Sequence, residues 1–181
     1  VKQVYKGGKL VAENGKMLHQ KEKNTDWSTE IKERVFHSFH RVPITVEELQ
    51  LKETTGTHQR VIDMVAHELI TKERIEEWKE LPGVAPGVDI SRDIVKLAAI
   101  ERHKNTSHVG LGFLGKYGLK KGAVATSIGH DSHNLVIAGV TDEDMVLAGN
   151  RVIENGGGLA IALEGKVLAD LPLPIGGLMA D

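Results

Sequence analysis

Apolar positions along this chain fall in short runs cut by glycine, asparagine and charged clusters, a punctuation that predicts many short strands and few helices. Val4-Tyr5, Leu10-Val11-Ala12 and Met17-Leu18 are separated by Gly7-Gly8 and Asn14-Gly15. Both dipeptides accept the positive φ of tight turns, so residues 4–18 are expected to form a three-stranded ribbon. Such a ribbon buries little alone and should complete a sheet supplied from elsewhere. Residues 20–29 are polar and charged without an apolar period, which marks a linker and a domain boundary. Residues 34–40 then alternate like a strand, with Val35 and His37 against Phe36 and Ser38. That extended reading sets His37 and His40 on opposite faces, so they are not expected to share a ligand. Thr45-Val46-Glu47-Glu48 has the spacing of a capping box opening a short helix. A buried strand is expected in 58–68 around Val61, Ile62, Met64 and Val65, whereas 72–78 suits a helical turn or a strand equally. Two Pro-Gly turns make 81–87 a loop.

In the second half, Ile94, Leu97, Ala98 and Ile100 form a buried run that ends in the charged trio Glu101-Arg102-His103. Gly110-Leu111-Gly112-Phe113-Leu114-Gly115 matches the dinucleotide-binding pattern literally, but Gly118 and Gly122 leave no room for the long helix that the pattern must open. These glycines are expected to serve turns and close packing instead. Residues 124–128 and 135–138 read as short buried strands. Thr141 caps a helix whose first turn is acidic, whose buried face is Met145, Ala148, Gly149, Val152 and Ile153, and whose stop is Asn155-Gly156. Asp142 and Asp144 accordingly read as cap and dipole residues. Residues 159–163 and 166–171 pair as a hairpin around Glu164-Gly165. The sum is an α+β fold with a mixed or antiparallel sheet and few helices, preceded by the small ribbon.

Composition narrows the function classes. Against 25 Asp+Glu there are 23 Lys+Arg, so no electrostatic footprint of a nucleic-acid binder is present, and no apolar run is long enough to span a bilayer. Zero cysteines exclude a thiol nucleophile and thiolate zinc sites. A reducing cytoplasm fits. The chain begins with Val rather than Met and ends on an apolar stretch, 174–181, which reads as a piece of a longer protein.

The densest chemistry is Ser127-Ile128-Gly129-His130-Asp131-Ser132-His133-Asn134, set at a turn between two strands. His130, Asp131 and His133 are ligand types suited to zinc, manganese or iron, but the remaining ligands would have to come from residues such as Glu101, His103 or His108. Alternatively, a histidine oriented by Asp131 acts in acid–base chemistry while Ser127 or Asn134 holds a polar ligand. In the plainest reading Asp131, Ser132 and Asn134 build an Asx-type turn and the histidines bond to backbone.

That octapeptide, with Thr141-Asp142-Glu143-Asp144-Met145, Asn150-Arg151, Glu154-Asn155-Gly156-Gly157-Gly158 and Leu171-Pro172-Leu173-Pro174-Ile175-Gly176-Gly177-Leu178-Met179, closely resembles the C-terminal domain of bacterial and archaeal adenine deaminases of the amidohydrolase superfamily. Glu101-Arg102-His103 and the glycine-rich stretch 109–118 belong to the same pattern. The resemblance implies a parent enzyme of purine salvage that hydrolyses adenine to hypoxanthine and ammonia with a divalent metal, manganese, iron or zinc, held in a β/α barrel. This chain has no His-x-His and no strand–helix alternation of a barrel, nor the Cys-x-x-Cys of the unrelated zinc nucleobase deaminases. It is therefore expected to be the C-terminal portion of such an enzyme, without a metal of its own, inactive alone and truncated at its own end. Residues 1–20 would be the last strands of a β-sandwich, and 21–181 the C-terminal domain. Its expected partners are the barrel of its own chain and adenine, with no nucleic acid or membrane, and homo-oligomerisation is left open. Polar residues at a buried turn are costly unless partnered. On that ground His130, Asp131 and His133 are candidates to complete the barrel site, with Ser127, Asn134, Glu101 and His103 contacting substrate. The rival expectations are a structural or oligomerisation module and an independent metal-binding domain.

Overall fold

A computed structural model describes residues 1–18, 28–51 and 56–180. The expected linker 20–29 lies largely outside the described residues. By packing, the chain separates into Val1–Glu30 and Ile31–Asp181. The first unit is the expected ribbon: β1 (Gln3–Lys6), β2 (Lys9–Glu13) and β3 (Lys16–Met17), all antiparallel, turn at glycines of positive φ.

Residues 34–40 are not a strand. Helix α1 (Thr29–Phe36) occupies the first part of that stretch, with Glu30 in its first turn and Arg34 in its last. Alternation over so few residues competes here with helix-favouring charges, and His37 Nδ1 lies 2.7 Å from Glu33 Oε2 in an i,i+4 contact. The capping-box spacing at 45–48 does produce its return bond, from the Thr45 N–H to Glu48 Oε2 at 3.0 Å, but the element is a single 3₁₀ turn, Glu47–Leu49.

The main sheet has eight strands in the order β11-β10-β8-β9-β6-β7-β4-β5. These are β4 (His58–Met64), β5 (Thr71–Glu77), β6 (Ile94–Ile100), β7 (Val109–Gly115), β8 (Ala123–Thr126), β9 (Leu135–Gly139), β10 (Gly158–Leu163) and β11 (Lys166–Pro172). Pairing is antiparallel except between β4 and β7, so the sheet is mixed. Strand β4 is buried on one face through Gln59, Val61 and Asp63, while Ile62 and Met64 are exposed, which corrects the expectation of a continuously buried run. Asp63 stays inside because Arg74 of β5 bonds both its oxygens at 3.0 Å.

Helix α2 (Asp142–Glu154) begins at Thr141, whose hydroxyl accepts from the Asp144 N–H, and lays Met145, Ala148 and Val152 on the sheet. Opposite them the strands present small side chains, Ala98, Ala123, Ala125, Ala160 and Ala162, with Ile100, Leu135 and Ile137 filling between. Small residues on the sheet let the helix approach closely; a Cβ on Gly149 would lie 2.6 Å from Ile137 Cδ1. Asp142 and Asp144 do more than meet the dipole. Asp142 pairs with the fully buried Lys96 at 2.7 Å, and Asp144 accepts the Glu164 and Gly165 N–H groups, pinning the β10–β11 turn. No helix of the described residues is long and apolar enough to cross a membrane.

The triple glycine after α2 is a helix stop, as expected, and also a packing point. Gly158 has φ +130° and an added Cβ would sit 2.0 Å from the Leu171 carbonyl oxygen. Gly158→Ala should therefore cost about 2–4 kcal/mol in denaturant unfolding, since neither the conformation nor the backbone neighbour can yield. A loss under about 0.5 kcal/mol would refute that account.

Candidate functional site

Antiparallel pairing of Ile100 with Leu135 and with Val109 puts the ends of β6 and β8 and the starts of β7 and β9 at one margin of the sheet. The loop 101–108 and the turn 127–134 therefore meet there. His103 Nε2 lies 2.8 Å from the Ser132 carbonyl oxygen, and because a carbonyl only accepts, that nitrogen carries the proton. The turn is closed by His133 N–H to Gly129 O at 2.8 Å and by Gly129 N–H to His133 Nδ1 at 3.3 Å. Asp131 and His133 take positive φ, 70° and 46°, a region that suits Asp and His better than most residues.

The turn is not buried, which corrects the premise on which its histidines were first singled out. The side chains of His130 and Asp131 are 96% and 90% exposed and pair at 3.2 Å. His133 and Asn134 are half-buried, and no partner of the Asn134 amide is found among the described residues. Ser127 alone is fully buried, and its hydroxyl is committed: it accepts from Gly158 N–H at 2.7 Å and donates to Gly177 O at 2.6 Å. Glu101 is committed as well, accepting the N–H groups of His103, Lys104 and Thr106 and the Thr106 hydroxyl. The Thr106 N–H leads in holding its carboxyl near pKa 2 rather than 4.5, with those of Lys104 and His103 adding to it.

Arg102 stands out in the sequence only as the middle of a charged trio, with no role of its own; the structure gives it one. It is 1% exposed, donates from Nε to His133 O at 2.6 Å and from its terminal nitrogens to Gly176 O at 3.1 Å and Ser38 O at 3.5 Å, and stacks over Phe39 at 4.9 Å. Its own carbonyl accepts the His40 N–H at 2.8 Å. Burial lowers its pKa and the neighbouring Glu101 charge opposes that. Its place directly after a buried run is visible in the sequence; the room for its guanidinium is not, since that comes from a distant glycine, where an added Cβ on Gly177 would sit 2.7 Å from it.

Among the described residues no group of three His, Asp or Glu side chains is placed to hold a metal ion. The arrangement offers an exposed imidazole and carboxylate and a half-buried amide for hydrogen bonding or proton transfer at a turn supported from beneath. An eight-stranded α+β sheet under one helix, with its chemistry on a turn braced by a buried arginine, is the class that fold and site define. Residues 68–181 match the family described as "Adenine deaminase C-terminal domain", and the chain belongs to that family. It is similar to adenine deaminases of Lysinibacillus sphaericus (41% identical, 99% of this chain and 30% of the relative) and Kosmotoga olearia (42%, 100% and 30%). That of Oleidesulfovibrio alaskensis is 46% identical over 80% of this chain. The chain thus spans about 30% of the length of the first two.

Two outcomes follow from this geometry. Arg102→Met should lower unfolding free energy by about 2–4 kcal/mol, because three carbonyls lose a buried donor, and should speed amide exchange at His133. A stable variant with unchanged exchange would remove Arg102 from its bracing role. Glu101 has a depressed folded pKa, so its loop-closing bonds are complete above about 4.5 and are lost as pH falls toward about 2. The Lys104 and Thr106 amide shifts should move together across that window and stay flat in Glu101→Gln. A flat response in the unsubstituted chain would contradict the role given to Glu101.

Proposed function

We propose that this chain is the C-terminal part of a cytoplasmic adenine deaminase of the amidohydrolase superfamily, an enzyme of purine salvage that replaces the C6 amine of adenine by oxygen from water and releases ammonia and hypoxanthine. Membership of the family carries the reading, since the relatives' names give the activity of proteins more than three times this length. Among the described residues no group of three His, Asp or Glu side chains is placed to hold a metal, and in this reading a divalent manganese, iron or zinc belongs to the barrel part of the longer protein. What this chain contributes is the turn 127–134, packed against that part, with the exposed His130 and Asp131 and the half-buried His133 reaching the reacting purine and Asn134 binding it. His103 fixes the turn from the neighbouring loop through Ser132. Ser127 and Glu101 serve by shaping the margin, since their polar atoms are already spent. That internal commitment also supports the rival reading, a structural or oligomerisation module.

Steady-state kinetics of the longer protein separate the two. His130→Ala or His133→Ala should lower kcat at least tenfold if the turn serves the reaction, about the smallest effect expected of a lost acid–base group. Near-wild-type turnover in both would leave the structural module standing. The 181-residue chain with adenine and a divalent metal should show no turnover; measurable ammonia release from it would overturn the proposal.

A further inference from the structure

Four residues down β6 from the turn, roughly 13 Å along the strand, the helix side of the sheet holds a second concavity. It is a half-open cleft of about 350 Å³, and its lining includes Gln50, Leu51, Trp78, Glu80, Lys96 and Asp142. Lys96 is fully buried, yet among the described residues its ammonium makes one hydrogen bond, to Asp142 Oδ1. An ammonium has three N–H groups, and leaving buried donors unmatched is costly. An acceptor inside the cavity would match them. Trp78 is a residue of the lining, and its ring is braced edge-to-face by Phe113, with centroids 5.7 Å apart and planes at 77°. Glu80 and Glu143 are exposed residues of the same lining, so three carboxylates outnumber one ammonium there.

Each feature restricts the occupant. The half-buried indole favours a flat ring. Lys96 asks for a ring nitrogen or carbonyl acceptor, and the carboxylates ask for N–H donors while repelling anions. The volume falls within the range of small-molecule sites. We propose that this cavity binds an uncharged, planar nitrogen heterocycle bearing an amino group, of the aminopurine class, at a site separate from the 127–134 turn. The narrowing from a flat amino heterocycle to an aminopurine, and with it the choice of adenine as the probe, rests on the proposed function.

The chain has two tryptophans, Trp27 and Trp78, so a Trp27→Phe background leaves Trp78 as the reporter. Adenine titrated into that protein should quench its fluorescence saturably, with half-saturation below about 1 mM. Glu80→Gln, an exposed change that spares the core, and Lys96→Met should each weaken binding at least threefold, with circular dichroism confirming that the fold survives. Adenosine monophosphate should bind at least tenfold more weakly than adenine. No saturable quenching overturns the proposal, as does quenching unaltered in Glu80→Gln with equal binding of the monophosphate. Loss of quenching in His133→Ala would place the base at the turn and overturn the separate site. None of these readouts depends on turnover, so they stand apart from the kinetic test of the proposed function.

Discussion

The buried guanidinium of Arg102 is the constraint on which the polar margin depends. Among the described residues no carboxylate bonds it; its donors are met by carbonyls from three separate segments, at Ser38, His133 and Gly176, and its face by Phe39. A lysine could not reproduce this, because a planar fork of fixed donors reaches several carbonyls at once where an ammonium is a point charge. Desolvating an arginine is expensive, and the cost is bearable only while all three segments stay in place. The margin is therefore cooperative: the segment just after α1, the histidine turn and the closing segment near Gly176 hold one another through one side chain.

Ser127 extends the same logic by one bond. Its hydroxyl links Gly158, at the start of β10, to Gly177, the glycine whose missing side chain leaves room for Arg102. Val35 O accepts the Gly176 N–H at 2.8 Å, so the end of α1 is tied into the cluster as well. Two polar side chains buried at this margin thus hold the structure, and those left open, the exposed His130 and Asp131 and the half-buried Asn134, stand on a base that they did not build.

Much of the fold could be read before its structure, and the reason is local. The hairpins at 7–8, 14–15 and 164–165, the α2 cap and its glycine stop rest on backbone requirements of one or two residues, which the sequence displays directly. Residues 34–40 failed because alternation over seven positions does not outweigh a charged helical turn closed by Glu33 and His37. Strand β4 misled in the opposite way: Asp63 reads as exposed from its type, yet Arg74 across the hairpin makes burial tolerable and turns Ile62 outward. The site was legible as a location, because polar residues between two apolar runs must sit at a strand end. Which of them were free was not, since Ser127 and Glu101 are consumed by partners 31, 50 and five residues away.

The division between spent and open groups bears on what such a domain can lend to an enzyme. Groups that bond internally cannot also be reorganised around a substrate without loosening the margin, so chemistry must fall to those left open. At the turn these are an exposed imidazole, its neighbouring carboxylate and an amide, in backbone held by His133 and Arg102. Exposed side chains lose rotamer freedom when they engage a ligand, a cost reduced when the backbone beneath them is already fixed. A turn rigid in its main chain and free in its side chains therefore suits a surface that completes a site held by another part of the protein. The same residues on a loose loop would bear the ordering cost twice, once for the chain and once for the side chains.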